Sequence, residues 1–290
     1  MNPVVDPAIV AIFGKPPHGV DLSHEHNTLH SIVTCASLGL AGAAVALRLR
    51  ICQQRGARLR SDDIAIVLSL VRSTPSYTCN FIAGQHGAGA HVWTNHLPSL
   101  VILFKVVYGE PFIYGLAVTV TKISILLFYH RLFYSKEDTK GFFFYLYWTA
   151  FALTVIYPVV IWVTMAVACH PISYWWTQWV GAAGYCINMK LFFLFLGIVN
   201  LMNDVVILII PIPRIARLPL SRKSKSSVIG IMLLGSFVCI ASVIRIYHLY
   251  QFLDQVDATW WIGSTMAWSS IEPSVAIISA CLPTFAPLLK

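Results

Sequence analysis

Five ionisable side chains, Arg72, Lys122, Asp204, Arg245 and Glu272, lie inside apolar stretches long enough to cross a lipid bilayer. A charge at membrane depth costs ~2.5 kcal/mol or more, so such residues pair, line a cavity or carry out chemistry. The chemistry these types offer is proton transfer. Glu272 or Asp204 would act as an acid, with Lys122, Arg72 and Arg245 setting how readily the proton leaves. Glu272 precedes Pro273, whose missing N–H can open the helix at Ser269.

The spacing gathers these groups. At about 1.5 Å of rise per helical residue, Arg72, Lys122, Asp204 and Glu272 each come out about 13–17 Å from one membrane boundary, near the bilayer middle. Arg245 falls in the opposite half. Asn200 and Asp204 share a face, as do Thr119, Lys122 and Tyr129, then Ser242, Arg245 and His248, and finally Trp261, Thr265, Trp268 and Glu272. Each stripe is expected to turn inward. Three bases against two acids leave one positive charge to be balanced by a neutralised Lys122 or by an anionic or electron-rich ligand. The same stripes would equally serve as interhelical salt bridges and hydrogen bonds.

The elements that must position them are long apolar helices. Of the 290 residues, 57% are hydrophobic and 11% charged, far below the charged share of a soluble domain. Seven spans are read, at about 28–51, 62–83, 108–132, 142–168, 187–210, 227–253 and 261–283. Residues 1–27 form a short tail without a cleavable signal peptide, and 28–290 a seven-helix transmembrane domain. The apolar stretch 97–107 is either an interfacial segment or an extension of the third helix. Fourteen basic residues, including Arg48, Arg55, Arg131, Lys136, Lys140, Arg214, Arg217 and Lys290, fall in loops on one side, against Lys15, Lys105 and Lys190 on the other. This bias predicts an outside N-terminus and a cytosolic C-terminus. A net charge of +8 confined to such loops is a topology signal and implies no nucleic acid.

Cys169 and Cys186 bracket an uncharged aromatic loop on the oxidising side and are expected to form a disulfide, with Cys79 as the competing partner. The loop's Tyr174, Trp175, Trp176, Trp179 and Tyr185 suit a membrane interface or a lid over the bundle. His86, His91 and His96 have no cysteine or carboxylate at ligand spacing, so neither a metal nor another cofactor is expected. Asp62-Asp63 reads as an acidic pair at a helix N-terminus. The seventh span has no lysine, which excludes a retinal Schiff base, and no phosphate-loop, dinucleotide or hydrolase motif appears.

Several motifs stand in one order: Asp62-Asp63; Gly87-x-Gly89-x-His91; Lys122-x-Ser124-Ile125-Leu126-x-Phe128-Tyr129-x-Arg131; Cys169-x-Pro171; Cys186; Asn200-x-x-x-Asp204; Pro211-x-Pro213; Arg245; Asp257-x-Thr259; Trp268-x-x-x-Glu272; Leu282-Pro283. Together they resemble the fungal rhodopsin-like seven-transmembrane family, which holds pathogenesis-type receptor-like proteins and satratoxin-cluster-type membrane proteins. The resemblance implies an all-α seven-helix bundle in the endoplasmic reticulum or plasma membrane. Lys122, Asp204, Arg245 and Glu272 fall on its motif positions and Arg72 does not. Two functions follow. One is a membrane-embedded cyclase of secondary metabolism acting on a terpenoid-like substrate, with Glu272 and Asp204 catalytic and Arg72, Lys122, Arg245, Asn200, Trp268, Trp261 and His91 around the substrate. The other is a receptor for a small extracellular ligand, coupled to a G protein through the 214–225 loop. The chain stops seven residues after Pro283. The lack of a long tail there tilts the expectation toward the enzyme. The expected partners are a lipophilic small molecule and membrane lipids.

Overall fold

In the computed structural model, residues 6–17, 21–22, 25–54, 60–133, 141–212 and 222–285 are described. The basic residues Arg55, Arg58, Lys136, Lys140, Arg214, Arg217 and Lys290, with Pro213 and the start of the 214–225 loop, fall outside them. A short helix α1 (Pro7–Phe13) precedes α2 (Asn27–Gln54), α3 (Ser61–Gln85), α4 (Leu97–Phe133) and α5 (Phe142–Val167). A hairpin of β1 (Cys169–His170) and β2 (Tyr185–Cys186) encloses the one-turn helix α6 (Tyr174–Thr177). Then come α7 (Met189–Ile209), α8 (Arg222–Asp254) and α9 (Ala258–Phe285).

Each of the seven expected spans falls on one of the seven long helices. The stretch 97–107 is resolved in favour of an extension, because α4 runs unbroken through 37 residues. Among the described residues, five segments are long and apolar enough to cross a membrane: Asn27–Gln54, Leu97–Arg131, Phe143–Val167, Met189–Ile209 and Gly235–Asp254. Helices α3 and α9 fall short, and burial supplies the reason. No described residue of α9 is exposed, and it packs against α2, α3, α4 and α8. A helix that meets only protein can carry Ser269, Ser270, Glu272, Ser274 and Ser279 without offering them to lipid. On α3, Asp62, Ser69, Ser73 and Ser76 step by seven, four and three along one buried face, while Leu68, Arg72 and Pro75 are exposed on another.

The polar face of α3 is joined to its neighbours by hydrogen bonds. Ser69 bonds Thr121 on α4, and Tyr77 bonds Ser274 on α9. Asn80 donates to Ser270 Oγ at 2.6 Å and to the Met266 carbonyl at 3.1 Å. At one end of the bundle, Arg48 is 1% exposed and buries its guanidinium among three helices. Its Nη2 reaches Asp62 Oδ2 at 2.6 Å, its Nε reaches Asp63 Oδ1 at 2.9 Å, and its Nη1 reaches the Ala280 carbonyl at 2.6 Å. Arg131 approaches Asp62 Oδ1 at 2.7 Å. Asp63 also accepts from the Arg60 backbone, as expected of an acid in a first turn, but its larger role is this clamp. Arg48 and Arg131 are thus ion-paired structural residues as well as members of the basic loop set.

The other end is a lid. Cys169 and Cys186 are joined in a disulfide across the hairpin. Trp175 is buried and donates its indole N–H to the Phe104 carbonyl at 3.2 Å. Trp179 packs between Phe13 of α1 and Phe104 of α4, with ring centroids 4.8 and 5.7 Å away. Trp93 donates to the Gly14 carbonyl at 2.8 Å, drawing the N-terminal segment onto the same layer. The aromatic loop therefore seals the bundle. Gly263 of α9 lets this layer seat closely: a Cβ there would lie 2.7 Å from the backbone of Gly89.

Candidate functional site

Helices α4, α7, α8 and α9 bring Lys122, Asn200, Asp204, Ser242, Arg245 and Glu272 into one buried layer. Lys122 Nζ lies 2.9 Å from Asp204 Oδ1, 2.8 Å from Asn200 Oδ1 and 3.0 Å from the Asn200 carbonyl. Those three contacts use all three ammonium protons. Arg245 Nε lies 2.6 Å from Glu272 Oε2, and Tyr114 donates to the same oxygen at 3.0 Å. Asn200 Nδ2 donates to Glu272 Oε1 at 2.7 Å, which links the two ion pairs. Ser242 Oγ lies 2.8 Å from Glu272 Oε1 and 3.1 Å from Asp204 Oδ2, so its one proton serves either acid, and Asn200 Nδ2 also approaches Asp204 Oδ2 at 3.4 Å. Every carboxylate oxygen of Asp204 and Glu272 therefore has a partner. In a medium of low dielectric such completeness is required, because an unpaired charge costs far more than the pair returns.

Two cavities flank this layer. The far cavity, of about 50 Å³, is lined by Lys122, Tyr129, Asp204, Glu272, Pro273 and apolar residues. The lid-side cavity, of about 70 Å³, is lined by Glu110, Tyr114, Tyr157, Arg245, Thr265, Ser269 and apolar residues. Each has room for a few water molecules. Three residues lining the second carry a buried atom without a hydrogen-bond partner: Arg245 Nη2, Glu110 Oε1 and Thr265 Oγ1.

Lys122, Asn200, Asp204, Arg245 and Glu272 thus meet as expected of inward-facing stripes, and four residues of the expected site stand elsewhere. Arg72 is exposed on the outer face of α3. Its long apolar stem allows that, by carrying the charge along the helix surface. Trp261 and Trp268 line neither cavity. They pack on His248 of α8, with ring centroids 5.7 and 6.4 Å away. His91 belongs to the lid: its Nδ1 lies 2.5 Å from Asp257 Oδ2, and its ring stacks on Trp260 at 4.3 Å. Asp257 also accepts from the Val92 backbone at 2.9 Å, so the pair ties the 86–96 loop to the start of α9.

Glu110 is the functional candidate that sequence reasoning missed. Read as the third residue of a span beginning at 108, it belongs at a membrane boundary. Because α4 begins at Leu97, Glu110 lies thirteen residues inside the helix. The signal that could have found it is Glu110-Pro111, which repeats Glu272-Pro273. With Arg72 turned outward, the ion layer and the two cavities beside it hold two bases, Lys122 and Arg245, and three acids, Glu110, Asp204 and Glu272. The expected surplus of one base becomes a surplus of one acid.

Helices apolar enough to cross a membrane, closed over a buried ion layer, define a polytopic membrane protein. The chain belongs to the fungal rhodopsin domain family, whose match covers residues 47–290. It is 27% identical to "Receptor GIN3" of Arthrobotrys oligospora over 88% of this chain and 60% of that protein. It is 26% identical to "Polyenoic acids biosynthesis gene cluster protein Ba17b" of Metarhizium anisopliae over 85% of this chain and 70% of that one. It is 24% identical to "Satratoxin biosynthesis SC1 cluster protein 4" of Stachybotrys chartarum over 61% of this chain and 62% of that one. The chain thus spans about two thirds of these relatives' length. No solved structure matches it significantly.

Proposed function

We propose that this chain is a seven-helix transmembrane protein of fungal secondary metabolism, N-terminus outside and C-terminus cytosolic, that works as a receptor-type sensor of a small lipophilic molecule. The observation that carries the reading is the full engagement of Asp204 and Glu272. Their oxygens are consumed in holding α4, α7, α8 and α9 together, which is what a conformational lock requires. Arg245 faces the lid-side cavity and Lys122 the far one, so a ligand that moves Arg245 disturbs Glu272, Asn200 and then the Lys122–Asp204 pair. The relative named a receptor, matched over 88% of this chain, supports the same reading. The test is association with a heterotrimeric G protein in fungal membranes. Glu272→Gln, which weakens the lock, should associate without added ligand and more strongly than the native chain. No association by either protein overturns the receptor.

A second reading is the membrane-bound cyclase, with Glu272 and Asp204 as acids. It draws on relatives named for biosynthesis clusters and on the position of both carboxylates at the edge of the far cavity. It asks more of the geometry, since no oxygen of either acid is open and neither Trp261 nor Trp268 faces them. Microsomes carrying Glu272→Gln or Asp204→Asn would lose product formation; full retention in both excludes it. A receptor belongs in the plasma membrane and such a cyclase in the endoplasmic reticulum, so the residence of a fluorescent fusion separates the two.

A further inference from the structure

One mid-helix charge stays outside the bundle. Arg72 is exposed on α3, and no hydrogen bond or ion pair reaches it among the described residues. Helix α3 runs from Ser61 to Gln85, which puts Arg72 about 16 Å from one end and about 20 Å from the other. The hydrocarbon core is about 30 Å thick, so in a spanning α3 this position is mid-depth whichever way the helix points. An arginine side chain reaches roughly 7 Å when extended, which leaves the guanidinium about 8 Å short of either boundary. The face around it is apolar: Leu68, Val71 and Phe81 are 44%, 58% and 59% exposed. Pro75, exposed on the same face, has no N–H to offer the Val71 carbonyl, beside Arg72 in the chain. A cation and an acceptor that its own helix does not serve thus sit together on a surface otherwise suited to lipid.

We infer that this face of α3 docks a transmembrane helix of another protein, one that carries an aspartate or glutamate at mid-depth. Charge complementarity selects the partner. A carboxylate meets a guanidinium through two parallel N–H···O bonds and cancels a charge that lipid rejects. Lipid phosphate lies at the boundary, beyond the reach of the side chain. A second copy of this chain does not answer. A two-fold contact through α3 sets Arg72 against Arg72, and none of the mid-helix acids, Glu110, Asp204 and Glu272, is exposed for a less symmetric one. The Val71 carbonyl takes a hydroxyl or amide N–H from the same partner, which fixes the register beside the ion pair. The inference rests on the seven-helix reading, which puts α3 across the membrane, and holds for receptor and cyclase alike.

The test places the full chain, carrying a fluorescent donor, in phosphatidylcholine vesicles with acceptor-labelled leucine-rich peptides of about 20 residues, long enough to span. One peptide has a central aspartate, one a central asparagine, and one an aspartate two turns nearer its end. Energy transfer should show the central-aspartate peptide binding roughly fivefold more tightly than the other two. Arg72→Leu should bring it down to their level, and Arg72→Lys should keep part of the difference. If Arg72→Leu does not fold, the comparison of central with displaced aspartate on the native chain decides alone. Equal binding of the three peptides, or a preference that survives Arg72→Leu, overturns the interface. So does Arg72-dependent enrichment of labelled phosphatidylglycerol around the chain with no preference among peptides, which makes the occupant a lipid phosphate. Reaction of Val71→Cys with a water-soluble maleimide, read at residue 71, puts α3 outside the hydrocarbon and fails the seven-helix reading together with the interface. A protected Val71→Cys with no peptide preference fails the interface alone.

Discussion

The side-chain amide of Asn200 donates to Glu272 Oε1 at 2.7 Å. That bond links two ion pairs on four helices, because the oxygen of the same amide accepts from Lys122 at 2.8 Å, and Ser242 between the two acids is a second link. Asn200→Val should leave Lys122 short of a partner and Glu272 short of a donor, at a cost of about 2–3 kcal/mol. Thermal unfolding of the purified protein should fall by several degrees. An unchanged midpoint would show that the two pairs stand independently.

Arg48 binds both acids of the Asp62-Asp63 pair and the Ala280 carbonyl at one end of the bundle. Removing one partner of a buried charge set strands the others, so Arg48→Met should cost about 3–5 kcal/mol. Adding Asp62→Asn and Asp63→Asn to Arg48→Met should recover part of that loss. Yield of monodisperse protein and unfolding midpoint would report both steps. A triple variant weaker than the single one contradicts the clamp.

Arg72 is exposed, away from the ion layer, so Arg72→Leu should change stability by less than about 0.5 kcal/mol. It should also leave G-protein association as it was. Collapse of the variant would place the guanidinium inside the bundle after all.

Gly263 faces the backbone of Gly89, so a methyl group at 2.7 Å forces the lid layer away from α9. Gly263→Ala should therefore raise hydrogen exchange across residues 86–96 and leave the Arg48 end protected. Equal exchange in both proteins would show that the joint yields at no cost.

The helical organisation was written in the sequence because a span is a local property: about twenty apolar residues declare one without reference to any neighbour. The inward faces of Lys122, Asn200, Asp204, Arg245 and Glu272 were legible for a related reason, since a charge in an apolar helix has few places to go. The burial of α9 could not be read this way. Its modest hydropathy looks like a weak span until its four helical neighbours are in place, and only then is it the most interior helix.

Side-chain position on a helix surface was decided by packing alone. Arg72 shares its depth with Lys122 and Asp204, but depth is one coordinate of a cylinder, and the exposed side of α3 took it outward. Trp261 and Trp268 step along α9 at helical spacing with Glu272, yet the face they form turns toward His248. Glu110 was hidden by a boundary, because only the unbroken course of α4 from Leu97 carries it into the interior. The sequence by itself determined that this chain must bury charge among apolar helices. Tertiary structure decided which charges, since pairing in a low dielectric depends on distances of a few ångströms between residues as far apart in sequence as Tyr114 and Glu272, 158 positions, and no local pattern encodes them.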